Sequence, residues 1–165
     1  MFNILRPLIF KFSPEVAHSL AIKALKLNNI PYSKPKDNHI LETTFCEKKL
    51  SSPIGVAAGF DKNAEVYNPL FNLGFGFVEV GTITPKPQFG NPKPRVFRLE
   101  EDEALINRLG FNNSGSEQIS QTIKENNKKG FLGINIGPNK DSTNRIDDYL
   151  ICFRKFYNLA DYITI

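Results

Sequence analysis

Four short apolar runs alternate with amphipathic helical patterns over most of the chain. The runs are Ile54 to Ala57, Phe77 to Val80, Leu132 to Ile136 and Tyr162 to Ile165. The helical patterns between them cover about 64–73, 116–127 and 146–159, and Gly74 and Gly130 are placed to end the first two. Apolar runs separated by helices are typical of a parallel sheet that is covered on both faces. The pattern therefore predicts an α/β fold.

The amino end of the chain has a different pattern, which predicts two amphipathic helices. Apolar residues recur at helical spacing in the first helix, at Phe2, Leu5, Ile9 and Phe12. Ser13, Pro14 and Glu15 then have the residue types of an N-cap, a first helical position and an acidic first turn. The second helix carries one apolar stripe, formed by Val16, Leu20, Ala24 and Leu27.

Basic residues on the other sides of this helical pair leave two interpretations open. They are Arg6, Lys11, Lys23 and Lys26. The pair is either a hairpin packed on its own domain or two interfacial helices that lie on an anionic membrane and admit a lipid-soluble molecule. The segment has neither the arrangement of a signal peptide nor the run of about 20 apolar residues that a membrane-spanning helix needs.

Composition and charge narrow the function classes. The chain has 165 residues, 41% hydrophobic and 23% charged, which is typical of one folded soluble domain. Its 21 basic residues are scattered among 17 acidic ones, so no nucleic-acid surface is predicted. Cys46 and Cys152 lie far apart without zinc-ligand spacing, which favours free thiols in a reducing compartment and predicts no metal site.

Unusual polar residues follow the predicted strands. "AAGFDK" (57–62) follows the first strand, "GTITPKPQFGNPKPR" (81–95) follows the second, and Asn135 interrupts the third. Parallel sheets place ligand sites at the carboxyl ends of their strands. Lys62 is unfavourable at a helix start, which indicates another role, whereas Asp61 is expected to cap that helix. Asn135 needs a partner, and either a ligand or a neighbouring loop could supply it.

The segment "LINRLGFNNSG" (105–115) combines three asparagines, one arginine and two glycines with apolar residues. The apolar residues, Leu105, Ile106, Leu109 and Phe111, predict a half-buried loop. A proline-rich linker is predicted before the sheet, from Pro31 to Asn38, and a hairpin from Leu41 to Leu50 that turns around Glu47 and Lys48.

Several motifs read in order resemble one family. "VAAGFDKN", "FVEVGTITPKPQFGNPKPRVFRL", "ALINRLGFNNSG", "GINIGPNKD" and "DDYLICFRKFY" are similar to the membrane-associated, quinone-dependent (class 2) dihydroorotate dehydrogenases. The resemblance spans essentially the whole chain, including "SPEVAHSLAIKAL" (13–25). It implies an FMN enzyme on a (β/α)8 TIM barrel, which oxidises dihydroorotate to orotate in pyrimidine (UMP) biosynthesis and passes electrons to a membrane quinone.

The resemblance also implies roles for particular residues. Those that it places at FMN are Ala58, Gly59, Phe60, Asp61, Lys62, Thr82 and Asn135. Those that it places at the substrate are Lys62, Asn107, Arg108, Leu109, Gly110 and Phe111. His18 and Arg98 become candidates for the quinone end, and Asn112 and Asn113 for support of the substrate loop. A fixed cation at Lys62 would stabilise charge that develops during hydride transfer.

The same resemblance implies a division of the chain and a location. Residues 1–30 would form an amphipathic quinone and membrane domain, 31–40 a linker, and 41–165 the first half of the FMN-binding barrel. We expect peripheral association with the cytoplasmic side of the cell membrane.

A TIM barrel needs eight strands and typically about 250 residues. We therefore expect this chain to be the amino-terminal half, with the base serine of an Asn-x-Ser-Ser-Pro-Asn segment beyond Ile165 and no catalytic base in these 165 residues. Two alternatives stay open, a non-catalytic membrane-binding fragment and a half-barrel that needs a partner chain.

Overall fold

The computed structural model describes residues 2–27 and 39–165, with side chains from Arg6 onward in the first range. The predicted linker lies outside the described residues except for His39 and Ile40, which begin a short 3-10 turn. The helices are α1 (Phe2–Ile9), α2 (Pro14–Lys26), α3 (Tyr67–Asn72), α4 (Gly115–Glu125) and α5 (Arg145–Phe156). The strands are β1 (Thr43–Phe45), β2 (Lys48–Leu50), β3 (Gly55–Val56), β4 (Phe77–Ile83), β5 (Val96–Leu99), β6 (Ala104–Asn107), β7 (Phe131–Ile136) and β8 (Tyr162–Thr164).

The centre of the fold is a four-stranded parallel sheet in the order β3-β4-β7-β8. All four strands come from the predicted apolar runs, so the predicted α/β fold is confirmed. Alternate residues of β4 and β7 are fully buried, and they pack with apolar residues of α3, α4 and α5. The sequence predicted apolar strands on both faces, and this is wrong for the opposite face. That face carries the polar residues Glu79, Asn135, Tyr162 and Thr164.

Glycines on that second face make room for aromatic rings. A Cβ at Gly55 would lie 2.4 Å from the ring of Phe77, and one at Gly133 would lie 2.1 Å from the ring of Tyr162. Phe45 of the β1–β2 hairpin meets the ring of Tyr162 edge-on, with centroids 5.9 Å apart. The hairpin is therefore packed against the sheet through aromatic contacts, each worth about 0.5–1.5 kcal/mol beyond the area buried.

Asp161, directly before β8, connects the amino ends of β2, β7 and β8 through hydrogen bonds. Its carboxylate accepts hydrogen bonds from Lys48, from Lys128 and from the Leu132 amide. Burial raises its pKa, but these three donors outweigh burial and hold the pKa below its ordinary value. The hairpin itself was predicted, although its turn lies at Cys46 and Glu47, which both have positive φ, rather than at Glu47 and Lys48.

Two helix boundaries differ from the sequence prediction. The helix predicted at 64–73 begins only at Tyr67, because Ala64 has a φ of 56° and cannot continue a helix. Asp61 instead closes the preceding turn by accepting from the backbone amides of Glu65 and Val66. Gly74 follows α3 as predicted. Gly130 does not end α4, because the helix already ends at Glu125. A Cβ at Gly130 would lie 2.7 Å from the ring of Phe71, so packing explains this glycine.

The two predicted amino-terminal helices are present, but the predicted apolar stripe of α2 faces outward. Val16 is 46% exposed, Leu20 47% and Leu27 72%, whereas Ile22 and Leu25 pack into the core. α2 is therefore packed on the rest of the chain, but through Ile22 and Leu25 and not through the predicted stripe, so this packing does not decide between the two interpretations of the helical pair. Ion pairs hold α2 in place, between Glu15 and Arg95 and between Lys26 and Glu65. Neither helix, nor any other in the described part of the chain, is long and apolar enough to cross a membrane.

An antiparallel hairpin of β5 and β6 follows β4 and was not predicted. Leu105, Ile106 and Phe111 are more than half exposed, so the expected half-burial of this segment is wrong for these three residues. Leu105 and Ile106 are exposed because the hairpin stands apart from the central sheet and pairs only with itself among the described strands.

Candidate functional site

The loops after β3 and β4 meet at the carboxyl rim of the sheet. The Gly59 amide donates to the Gly81 carbonyl at 2.8 Å, and the Gly81 amide donates to the Asp61 carbonyl at 3.0 Å. Gly81 has a φ of 116°, and a Cβ there would lie 2.4 Å from the Asn135 carbonyl oxygen. Only glycine allows this approach, so the ends of β3, β4 and β7 are held close together.

Gly59 leaves open space on the same rim. It has a φ of 105°, and a Cβ built on it would meet no atom within 4 Å. Packing therefore does not require this glycine, but its backbone conformation does. The backbone of Gly59 is therefore open to close approach on this side.

Lys62 supplies a cation beside this space. Its Nζ donates to the Gly59 carbonyl at 2.5 Å, and no ion pair involves it among the described residues. Burial lowers the pKa of Lys62 the most, and Arg95 lowers it further, while Glu15 and Asp61 act in the opposite direction. The ammonium group is thus half-buried without a carboxylate partner, which leaves it available to an anionic or carbonyl ligand.

The rest of the post-β3 loop shapes the site. Both carboxyl oxygens of Asp61 are occupied by the amides of Glu65 and Val66, each at 2.8 Å. Burial raises the pKa of Asp61, and these hydrogen bonds partly oppose the rise. Its carboxylate therefore holds the loop, and only its backbone faces the rim. Ala58 is half-buried in the same loop.

The substrate loop predicted at 107–111 reaches the same rim through Phe111. A Cβ on Gly137, directly after β7, would lie 2.8 Å from Cγ2 of Thr82 and 3.9 Å from the Phe111 ring. Thr82 and Phe111 therefore converge there. Asn107, Arg108 and Gly110 are exposed, and Leu109 is half-buried.

The side chain of Asn113 anchors this loop. Its Nδ2 donates to Thr84 Oγ1 and to the Phe111 carbonyl, and its Oδ1 accepts from the Gly115 amide at 2.8 Å. The side chain is buried, so these bonds are made without competition from water. The predicted supporting role of Asn113 is confirmed. The neighbouring Asn112 has a buried Oδ1 without a partner among the described residues.

Asn135 has a protein partner as well as a place on the rim. Its Nδ2 donates to Oε1 of Glu79 at 3.3 Å, and Oε2 of Glu79 accepts from Tyr162 and Thr164 at 3.0 Å each. Sequence analysis missed Glu79. The available signal was a carboxylate in the otherwise apolar run 77–80, but its partners lie 56 to 85 positions away.

The two predicted quinone residues lie at the amino-terminal helices. The His18 Nε2 is 2.7 Å from the Phe60 carbonyl oxygen, and the two rings meet edge-on with centroids 5.3 Å apart. Arg98 donates to the carbonyls of Phe10 and Phe12, and its guanidinium lies 4.5 Å from the centroid of the Phe10 ring. His18 therefore joins α2 directly to the Gly59–Lys62 loop, whereas Arg98 joins β5 to the turn between α1 and α2.

Comparison with known proteins gives consistent similarities. Residues 40–165 match the family model described as dihydroorotate dehydrogenase. The chain is 51% identical over 160 residues to the dihydroorotate dehydrogenase (quinone) of Bartonella henselae, and 51% identical over 156 residues to that of Rhizobium etli. These alignments cover 97% and 94% of this chain but 44% and 43% of the relatives.

Two solved structures are also similar to this chain. A crystal structure of DHODH from Eimeria tenella in complex with ferulenol is 41% identical, with a TM-score of 0.85. The ligand-free structure from the same organism has a TM-score of 0.86. The alignments cover 92% of this chain and 43% and 44% of those chains. The chain thus spans under half the length of the proteins that it matches.

Proposed function

Because the chain belongs to the dihydroorotate dehydrogenase family, we propose that the complete protein oxidises dihydroorotate to orotate in pyrimidine biosynthesis. Its resident cofactor would be FMN and its electron acceptor a membrane quinone. The observation that carries the proposal is the meeting of the Gly59–Lys62 loop, Thr82 and Phe111 at one rim of a parallel sheet. Relatives at 51% identity named dihydroorotate dehydrogenase (quinone) support the same reaction.

The rim residues fit FMN. The open space beside Gly59 would receive the ring system, with Ala58, Phe60 and the backbone of Asp61 forming its edge. Thr82 and Asn135 would bind polar groups of the cofactor at the ends of β4 and β7. When bound, FMN supplies the acceptor for the hydride. Lys62 would hold a fixed positive charge where negative charge grows during the transfer.

The substrate would lie between Lys62 and the loop 107–111. Amide groups such as that of Asn107 can donate to a carboxylate and pair with a ring imide without adding charge. Arg108, Leu109 and Gly110 would complete the loop, and Phe111 would exclude water. The base that takes the substrate proton would be the serine that the family resemblance places beyond Ile165.

The described strands fit the first half of a (β/α)8 barrel. β3, β4, β7 and β8 would be its first four strands, with α3, α4 and α5 on the outside and the Glu79 face inside. Residues 41–165 would then form this half-barrel, 31–40 a linker, and 1–30 a separate quinone and membrane domain.

The outward stripe of α2 supports peripheral binding to the cytoplasmic side of the cell membrane. Val16, Leu20 and Leu27 are exposed beside the basic residues Lys23 and Lys26. Exposed apolar side chains with flanking lysines are typical of interfacial helices. His18 and Arg98 would then lie at the quinone end, with His18 in contact with the flavin loop through Phe60.

Substitution of Lys62 in the complete protein tests the reaction. Lys62→Ala should slow the reduction of bound flavin by dihydroorotate about 10²- to 10³-fold, the usual effect of removing one preorganised electrostatic contact. Stopped-flow absorbance of the anaerobic protein measures this rate. Lys129→Ala is the matched control, because Lys129 lies two residues before β7, at the opposite end of the sheet.

A parent protein that holds no FMN, or whose flavin is not bleached by dihydroorotate, would contradict the proposed function. Equal reduction rates in the parent and in Lys62→Ala would contradict the role assigned to Lys62.

A further inference from the structure

Glu79 places a carboxylate on one face of the sheet, where three side-chain donors from β7 and β8 converge on it. Asn135 of β7 donates to Oε1, and Tyr162 and Thr164 of β8 both donate to Oε2. The residue is half-buried and forms no ion pair with any described residue. Burial of a charged side chain is costly unless hydrogen bonds compensate it, and these three donors supply that compensation.

The carboxylate determines which way the amide of Asn135 points. An ionised carboxylate only accepts hydrogen bonds, so the NH2 group of Asn135 must face it. The carbonyl oxygen of the same amide then points away from Glu79. Among the described residues this Oδ1 has no hydrogen-bond partner. It is an acceptor at the end of β7, beside the backbone that packs against Gly81.

We propose that Glu79 is a positioning residue, which fixes the amide of Asn135 so that its carbonyl oxygen accepts a hydrogen bond from an O–H or N–H group of the bound flavin. This inference rests on the proposed function, because it takes FMN as the ligand of the rim. Tyr162 and Thr164 hold the carboxylate in place, which makes the orientation of Asn135 independent of the ligand. The raised pKa of Tyr162, caused by burial and then by Glu79, keeps its hydroxyl a donor.

Glu79→Gln should reverse the amide of Asn135. Tyr162 and Thr164 both donate to the position of Oε2, so the carbonyl oxygen of a glutamine would occupy that position. Its NH2 group would then face Asn135, which must turn its own carbonyl toward residue 79. The rim would be left with a donor where FMN needs an acceptor.

A double-mutant cycle on the complete protein tests this mechanism. The affinity of the apoprotein for FMN is measured by quenching of flavin fluorescence. Glu79→Gln and Asn135→Ala should each weaken binding roughly 3- to 10-fold, as expected for one hydrogen bond. The double variant should bind no more weakly than Asn135→Ala alone, since Glu79 acts only through Asn135. Glu101→Gln, the same substitution at an exposed residue in the turn between β5 and β6, is the matched control and should change affinity less than about twofold.

A second pair of variants tests the orientation without depending on Glu79→Gln alone. Asn135→Asp places two carboxylates against each other and should weaken FMN binding strongly. Adding Glu79→Gln should restore part of it, because the NH2 group of the glutamine can donate to the new carboxylate. A merely structural role of Glu79 would make the combined variant worse rather than better.

The outcomes separate this inference from the proposed function. A parent that binds no FMN overturns both. A parent that binds FMN while Glu79→Gln adds its full effect to Asn135→Ala overturns the positioning role alone, and so does the absence of rescue in Asn135→Asp. A Glu79→Gln protein that fails to fold while Asn135→Ala folds would mean that Glu79 supports the sheet itself, which also overturns it.

Discussion

Lys62 carries a charge in a half-buried position without a carboxylate partner. Burial lowers its pKa below the ordinary value of 10.5, so it loses its proton at a lower pH than a solvated lysine. Its positive charge is therefore present below the lowered pKa and is lost as the pH rises through it. Any reaction step that depends on that charge must slow over the same pH range.

We accordingly predict an alkaline fall in the rate of flavin reduction by dihydroorotate in the complete protein. The fall should begin below pH 10.5, the ordinary lysine value. Lys62→Arg should reduce the rate but remove this fall, because a guanidinium stays protonated. Stopped-flow reduction as a function of pH measures both. A parent rate that stays flat up to that pH would contradict the prediction.

Truncation of the adjacent asparagines Asn112 and Asn113 should affect the free energy of unfolding to different extents. Asn113→Ala removes the partner of the Gly115 amide and of Thr84, so we expect a loss of about 1–3 kcal/mol in the free energy of unfolding. Asn112→Ala removes an acceptor that has no partner among the described residues and should be nearly neutral. Denaturant unfolding of the two variants provides the comparison. Equal losses would show that Asn113 is not the anchor of the loop.

Single residues at strand ends were predictable where their chemistry conflicted with their position. Lys62 stood at the start of a predicted helix and Asn135 inside an apolar strand, and both lie at the rim. Glu79 conflicted with its apolar run in the same way, but its partners could not be identified from the sequence because they are more than fifty positions away. The sequence also could not indicate that both oxygens of Asp61 would be bonded to the amides of Glu65 and Val66.

At the scale of elements, apolar runs located the central strands and missed the β5–β6 hairpin. The central strands bury alternate residues such as Val78 and Ile134, which requires an apolar pattern. The hairpin strands pair only with each other and bury little, so no such pattern is required of them. For α2 the spacing predicted a helix, but it could not decide which side is buried, because both sides carry apolar residues.

The outward stripe of α2 predicts the response of the complete protein to membranes. Val16→Glu with Leu20→Glu should weaken binding to vesicles of anionic phospholipid and depress quinone-linked activity, while activity with a soluble dye is kept. The substitutions remove apolar contact and add negative charge without touching the buried residues Ile22 and Leu25.

Gln118→Glu with Lys124→Gln on α4 is the matched control, since it also lowers the net charge by two. Vesicle sedimentation at low and high salt separates the apolar part of binding from the electrostatic part. Unchanged sedimentation and quinone-linked activity in the α2 variant would argue against a membrane role for this helix.

At the scale of the whole molecule, the described sheet has two unpaired edges. β3 and β8 each pair on one side only, and a parallel edge strand is a template for association with other chains. The outer helix α5 and the residue that follows it also expose several large apolar side chains, namely Ile146, Leu150, Ile151, Phe153 and Tyr157. In a closed (β/α)8 barrel a neighbouring strand and helix would cover both surfaces.

We therefore predict that residues 1–165 expressed alone self-associate, hold FMN weakly and do not oxidise dihydroorotate. They carry the Lys62 and Asn135 side of the proposed site, whereas the matched relatives are more than twice as long. Proximity and acid-base catalysis act on one bound geometry, so loss of the remaining walls and of the base should cost far more than the roughly 10²- to 10⁴-fold credited to acid-base catalysis alone. Anaerobic mixing with FMN and dihydroorotate, followed by flavin absorbance, measures turnover, with the complete protein as the positive control. Bleaching of flavin by residues 1–165 at a rate above that of free FMN would place the catalytic base within these residues.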